Sequence, residues 1–258
     1  MTIKRFILFI VLCCVTCIST GQNQQKLVLD SLPPIIGSDL DVGNGFAGMM
    51  GGEQEGVLIA AGGANFPNGL PWEGGSKVWS DAIYYLDGGQ WNRATTKLPK
   101  QLAYGASVAL PEGILLVGGE NAQGSTDQVL LLQIDTESKS VTLTEYPDLP
   151  EPLAYSSAVL ENGYVYVVGG KNTNATTNSF YRLSLDTKSW ERLSDFPGEP
   201  RALHVAAIQD TQHSRKLFLI GGRNQKSGQK SEPLTTFLAY DLNLGEWDRL
   251  GELRINEK

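Results

Sequence analysis

The sequence predicts an all-β fold of the propeller type. Three observations carry that expectation: four Gly-Gly doublets at near-constant spacing, a strand-like apolar run on either side of each, and almost no helical periodicity across the 258 residues. The doublets are Gly62-Gly63, Gly118-Gly119, Gly169-Gly170 and Gly221-Gly222, separated by 56, 51 and 52 residues.

Taken in order, each doublet closes a hydrophobic run: "VLIAAGG", "ILLVGG", "VYVVGG" and "LFLIGG". Paired glycines at such a place end a buried strand where another backbone comes too close for a side chain. A polar loop follows, then a second strand-like run ("AIYYLD", "VLLLQID", "SFYRLSLD", "TFLAYDL"), and in three of the four units a tryptophan, Trp91, Trp190 or Trp247, expected to fill the gap between blades. The second unit has "VTLTEY" in that place. Before each inner strand stands a Pro-containing turn and a set of small residues: "LPKQLAYGASVAL", "LPEPLAYSSAVL" and "FPGEPRALHVAAI". Shared order and period together resemble the kelch repeat, in which each unit is one four-stranded blade. Four blades are recognisable, of an expected six-bladed ring that is incomplete at its C-terminal side.

Ahead of the repeats, "MTIKRFILFIVLCCVTCISTGQ" has Lys4 and Arg5, an apolar run from Phe6 to Ile18, and small residues Ser19 and Gly21. That pattern is a secretion signal over residues 1–21, cleaved before Gln22, with the kelch propeller occupying 22–258. The alternatives are an uncleaved anchor, for which the run is short of the roughly 20 residues a membrane helix needs, and a lipid on Cys17. A periplasmic or secreted location is expected.

Cys13, Cys14 and Cys17 all fall in this segment, so the mature chain carries no thiol and supports neither disulfides nor a cysteine nucleophile. His204 and His213 lack ligand spacing, and no metal or cofactor is expected. The formal charge of −7 becomes −9 once Lys4 and Arg5 are removed, which makes nucleic acid an unsuitable partner.

One loop interrupts the plain strand-and-turn pattern: "GGANFPNGLPWEGGSKVW" places Asn65, Trp72, Glu73 and Lys77 among glycines. With "GFAGMMGGEQEGVLIAAGGANFP", "WNRATTKLPKQLAYGAS" and "ILLVGGEN", it resembles the kelch-type N-acetylneuraminate epimerases, or sialic acid mutarotases, and more narrowly their cyclically permuted subgroup. Segment 38–120 is similar to the C-terminal part of the ordinary family. "YPDLPEPLAYSSAVLENGYVYVVGG" and "LSDFPGEPRALHVAAI" look like its opening blades.

The resemblance implies an enzyme that interconverts the α and β anomers of N-acetylneuraminic acid without a cofactor. It puts the catalytic base at Glu73, with Lys77 beside it to stabilise an oxyanion or hold the substrate carboxylate. Trp72 either packs on the sugar or anchors the loop. Arg201 suits the sialate carboxylate through two parallel hydrogen bonds, or else forms an ion pair between blades. Asn65, Tyr104, Tyr155, His204 and Arg223 occupy similar rim positions and are candidate sugar contacts.

The rival from a different class is a non-catalytic kelch module that binds a protein or glycan, since a fold does not fix a function. A copper enzyme of the galactose-oxidase type needs a cysteine the mature chain lacks. A sialidase propeller needs Ser-x-Asp-x-Gly-x-x-Trp boxes that are absent.

Overall fold

Short strand-forming runs joined by tight turns have one local solution, the antiparallel meander, and the described residues repeat it four times. The computed structural model describes residues 31–35 and 45–253; the segment 1–21 and its cysteines lie outside the described residues. The first blade contains β1 (Met50–Gln54), β2 (Val57–Ala61), a small hairpin of β3 (Ala64–Asn65) and β4 (Val78–Trp79), then β5 (Ala82–Asp87) and β6 (Gln90–Lys97). The second has β7 (Ala106–Leu110), β8 (Gly113–Val117), the small pair β9 (Glu120–Asn121) and β10 (Gly124–Ser125), then β11 (Val129–Ile134) and β12 (Val141–Tyr146).

In the third blade, β13 (Ser157–Glu161), β14 (Tyr164–Val168), β15 (Phe180–Ser184) and β16 (Ser189–Arg192) are joined with a single bridge, Lys171 to Thr176, in place of the small hairpin. The fourth has β17 (Val205–Asp210), β18 (Arg215–Ile220), the pair β19 (Arg223–Asn224) and β20 (Glu232–Pro233), then β21 (Thr236–Asp241) and β22 (Glu246–Glu252). Every blade is a four-stranded sheet in chain order from the innermost strand outward, and the innermost strands pack in succession, β1 on β7, β7 on β13, β13 on β17. This is a kelch-type β-propeller arrangement of four blades.

The cores lie between blades. Ile59 and Ile83 meet Ile114, Leu116 and Leu130; Leu115, Val117 and Leu131 meet Val165, Val167 and Leu183; Tyr166, Val168 and Phe180 meet Leu217, Leu219 and Leu238. A blade covered on both sides buries both faces of its middle strands, which is why β8 reads "GILLV" without alternation. Each such aliphatic side chain contributes about 1.5–3 kcal/mol. The far face of the fourth blade differs: Phe218 and Phe237 pair with centroids 5.6 Å apart, Val205 is 60% exposed, and no other blade covers them among the described residues.

The first three Gly-Gly doublets are where one blade meets the turn that begins the next. The second glycine donates its N–H across: Gly63 to Leu102 O at 2.9 Å, Gly119 to Leu153 O and Gly170 to Arg201 O, both at 2.8 Å. A Cβ on Gly62 or Gly118 would lie 2.2 Å from the Leu102 or Leu153 oxygen, and both glycines have positive φ. Trp190 and Trp247 pack against the second and third inter-blade cores, and each of the three repeat tryptophans also pins the linker entering its own blade: Trp91 Nε1 donates to Pro33 O, Trp190 to Pro147 O and Trp247 to Ser194 O, at 2.8–3.0 Å.

Candidate functional site at the propeller mouth

At the end where the inner strands begin, the backbone of successive blades is stitched together. Gly48, Tyr104, Tyr155 and Leu203 occupy the same place in blades one to four, all at φ between 56° and 66°. Tyr104 N–H donates to Gly48 O, Tyr155 N–H to Tyr104 O and Leu203 N–H to Tyr155 O, at 2.7–3.0 Å. This left-handed residue, normally costly outside glycine, turns its side chain out beside the neighbouring blade. Tyr104 and Tyr155 consequently stack, with centroids 4.7 Å apart.

The residue before each of these forms a β-bridge to the residue just after the doublet: Ala47 to Ala64, Ala103 to Glu120, Ala154 to Lys171 and Ala202 to Arg223. The doublets therefore extend to a four-residue motif, Gly-Gly-x-Asn, reading "GGAN", "GGEN", "GGKN" and "GGRN". Asn121 and Asn172 are turn residues, while Asn224 fastens the fourth blade to the third. The Oδ1 atoms of Asn121 and Asn172 accept backbone N–H groups of their own loops, while Asn224 Oδ1 accepts from the Thr176 hydroxyl. The variable position puts Ala64, Glu120, Lys171 and Arg223 at one height around the mouth.

A cluster forms there. Glu120 accepts a hydrogen bond from the Tyr155 hydroxyl and lies 3.9 Å from Lys77 Nζ and 4.0 Å from Lys171 Nζ. The Lys77 ammonium sits 4.7 Å from the centroid of Tyr104 and 5.3 Å from that of Trp79, close enough for both rings to stabilise the charge. Burial, and then the bond to the Glu120 carboxylate, push the Tyr155 hydroxyl well above the usual tyrosine range, so it remains a donor. Beyond Lys171, a depression of about 200 Å³ is lined by Tyr155, Lys171, Thr176, Arg223, Gln225 and Ser231 among others. Ser231 holds the Arg223 guanidinium through Nε at 2.6 Å and Nη2 at 3.0 Å.

The sequence-derived candidates thus divide. Lys77, Tyr104, Tyr155 and Arg223 come together at the mouth. Trp72 and Glu73 lie in an exposed 3-10 turn, Pro71–Glu73, where the Glu73 carboxylate accepts the Leu70 N–H at 2.8 Å and Trp72 is 79% exposed. Asn65 is buried in β3.

Arg201 is buried to 1% exposure. It stands where the earlier blades have Leu102 and Leu153, and its guanidinium donates to Gly221 O (3.0 Å), Thr236 O (3.3 Å) and Thr236 Oγ1 (2.7 Å) of the fourth blade. Burial, with Arg249 nearby, lowers its pKa below the ordinary arginine value.

His204 is buried under the third doublet, its Nε2 3.0 Å from Val168 O, and burial holds it down to about 4. Glu120 and Lys171 were missed because single-residue scanning gave them no weight; aligning the four Gly-Gly-x-Asn motifs isolates them. Among the described residues no group of three or more His, Cys, Asp or Glu could hold a metal ion, and no helix is long and apolar enough to cross a membrane.

The chain is similar to the N-acetylneuraminate epimerase of Brucella melitensis biotype 1, 37% identical over 134 residues that cover 48% of this chain and 34% of the relative. It is also similar to that of Salmonella enteritidis, 40% identical over 102 residues covering 36% and 26%. It spans about a third or less of the length of these curated relatives. A solved structure titled "Structure of YjhT" superposes with a TM-score of 0.64 at 13% identity, covering 81% of this chain and 71% of that one, a likeness of fold. The family model described as the KLHDC2/KLHL20/DRC7 Kelch-repeats domain matches residues 55–254. With four blades on the same repeat, the chain belongs to this Kelch-repeat family.

Proposed function

We propose that the protein is a sialic acid mutarotase, interconverting the α and β anomers of N-acetylneuraminic acid, and that it does so outside the cytoplasm after loss of residues 1–21. The observation that carries this reading is the cluster at the mouth: ammonium groups, a guanidinium, two tyrosines and a carboxylate on one rigid rim, in a chain whose curated relatives are named for this epimerisation.

The chemistry asks for little else. A base removes the proton of the anomeric hydroxyl as the bond from the anomeric carbon to the ring oxygen breaks, and an acid protonates that oxygen. Rotation and reclosure then give the other anomer. Two carboxylates are candidates for the base, Glu73 on the exposed loop that also carries Lys77 and Glu120 in the cluster, and Lys77 supplies positive charge where an oxyanion develops. The stacked Tyr104 and Tyr155 and the exposed Trp72 offer apolar faces for the sugar ring. Lys171 and Arg223 offer charge for its carboxylate.

The test is anomer exchange by proton NMR on freshly released α-N-acetylneuraminic acid, with and without protein. Conversion faster than the buffer control is expected. Sugar line broadening with no acceleration would instead make the protein a glycan-binding kelch module.

A further inference from the structure

We propose that Glu120, rather than Glu73, is the base of this reaction, and that Lys171 and Arg223 together form the subsite for the sugar carboxylate; the inference rests on the mutarotase reading. It begins from equivalence. The Gly-Gly-x-Asn scaffold places Glu120, Lys171 and Arg223 on three neighbouring blades in the same backbone setting, each bridged to the alanine ahead of the left-handed residue. A substrate bridging adjacent blades meets a carboxylate, an ammonium and a guanidinium in that order.

The two glutamates are held very differently. Glu73 closes its own 3-10 turn by accepting the Leu70 N–H at Oε2, in an exposed loop where no lysine or tyrosine is seen to hold its carboxylate among the described residues. Glu120 is the more enclosed, its side chain 14% exposed, and is positioned by the Tyr155 hydroxyl with Lys77 on one side and Lys171 on the other. At 3.9 and 4.0 Å neither lysine is within hydrogen-bond distance of it, so both ammonium groups keep their donors for substrate oxygens that approach from the side.

The depression beside it is equally prepared. Ser231 fixes the Arg223 guanidinium at Nε and Nη2, while Nη1 has no protein partner among the described residues. A fixed guanidinium loses little conformational freedom when a carboxylate binds. A volume of about 200 Å³ accommodates the carboxylate end of a sugar acid but not the whole molecule, so the ring lies back over Tyr155 and Tyr104 toward Glu120.

The proton balance closes without any further reagent. Glu120 takes the proton of the anomeric hydroxyl, the oxygen's electron pair becomes the new carbonyl bond, and the anomeric carbon to ring oxygen bond breaks. The departing ring oxygen takes a proton from the Lys77 ammonium. On reclosure the neutral Lys77 amine recovers that proton, and Glu120 returns its own to the oxygen at the anomeric carbon.

The experiment measures anomer exchange and sugar binding by NMR for the full chain and for E120Q, E73Q, K171M and R223M. Glu120→Gln keeps the shape and the capacity to accept from Tyr155, so it is expected to bind the sugar but lose about a hundredfold or more in kcat. K171M and R223M are expected to raise KM by about tenfold or more, with the smaller effect on kcat. Arg223→Lys recovers part of the charge without the planar fork and restores binding in part. A parent chain that neither accelerates exchange nor binds sugar overturns the mutarotase reading and this one with it. An active parent in which E120Q retains its rate, or E73Q alone abolishes it, overturns only the assignment of the base. Unchanged KM in K171M and R223M overturns the carboxylate subsite.

Discussion

Replacing Gly118 by alanine, with Gly221 as its internal comparison, tests whether the doublets are blade junctions. Both glycines are first in their doublet and share nearly the same backbone, φ 62° and 64°, so each substitution carries the same left-handed penalty of about 1–2 kcal/mol. They differ in what the new methyl meets. At Gly118 it would lie 2.2 Å from Leu153 O, a backbone atom held by the Gly119 N–H, whereas at Gly221 the nearest atom, Leu234 O, is 3.5 Å away. Relieving the first contact means moving the second and third blades apart, an overpacking cost of about 1–3 kcal/mol. G118A is therefore expected to lose about 3.5 kcal/mol and G221A about 1.5. For a chain of this size that corresponds to Tm losses of about 7–14 °C and about 3–6 °C. Urea unfolding monitored by tryptophan fluorescence reads both values. Losses equal to within about 0.5 kcal/mol would refute the junction argument, because only the shared backbone term would then be acting.

His204 has its folded pKa lowered to about 4 from 6.5, so below pH 6.5 the unfolded chain takes up a proton that the folded one refuses. Stability should fall as pH drops from 6.5 to about 4, by about 3 kcal/mol in total, and His204→Gln should flatten that slope in urea titrations run across the range. At the opposite extreme, Tyr155 is raised above its ordinary value of 10.0, so the folded chain resists an ionisation open to the unfolded one; stability should drop above pH 10, less steeply in Tyr155→Phe. Arg201→Met leaves Gly221 O and the Thr236 hydroxyl without their buried donor, and thermal unfolding should register a loss of about 1–3 kcal/mol.

Much of the fold was legible because the period of the doublets is the period of the blades, and the order of runs within a unit is the order of strands. Trp190 and Trp247 do pack between blades as expected, but the bond that Trp91, Trp190 and Trp247 each make was not foreseen, since a linker carbonyl 43 to 58 residues away has no local signal. At the mouth, Lys77, Tyr104, Tyr155 and Arg223 were found from the loop and rim positions. Arg201 stood out as an arginine before an inner strand, yet that position belongs to the core. Leu102 and Leu153 hold it in the second and third blades, and Arg201 meets the same burial by donating from Nη1 and Nη2 to Gly221 O and to the carbonyl and hydroxyl of Thr236 in the fourth blade, with Nε left without a partner among the described residues. Glu120 and Lys171 required the opposite inference, that a variable residue inside an invariant frame is where a repeat can change its chemistry.

That frame also explains how an acidic chain presents positive charge to an anion. The sequence sums to −7, while Lys77 and Lys171 lie within about 4 Å of Glu120, and Arg223 lines the adjoining depression with Lys171, so the mouth carries an excess of positive groups. At physiological salt, charges more than about 8 Å apart in solvent are largely screened, so the approaching sugar acid responds to this local set more than to the total. Lys77 reaches the mouth from the loop between β3 and β4, whereas Glu120, Lys171 and Arg223 occupy the variable place of Gly-Gly-x-Asn, where the glycines secure the blade junction, or at the fourth blade merely end the strand, and the asparagine fastens its own loop or, at Asn224, the third blade's Thr176. Neither task involves the side chain between them. Exchanging Glu120, Lys171 or Arg223 therefore alters the electrostatics of the mouth at small cost to the fold, whereas exchanging the residues on either side does the reverse.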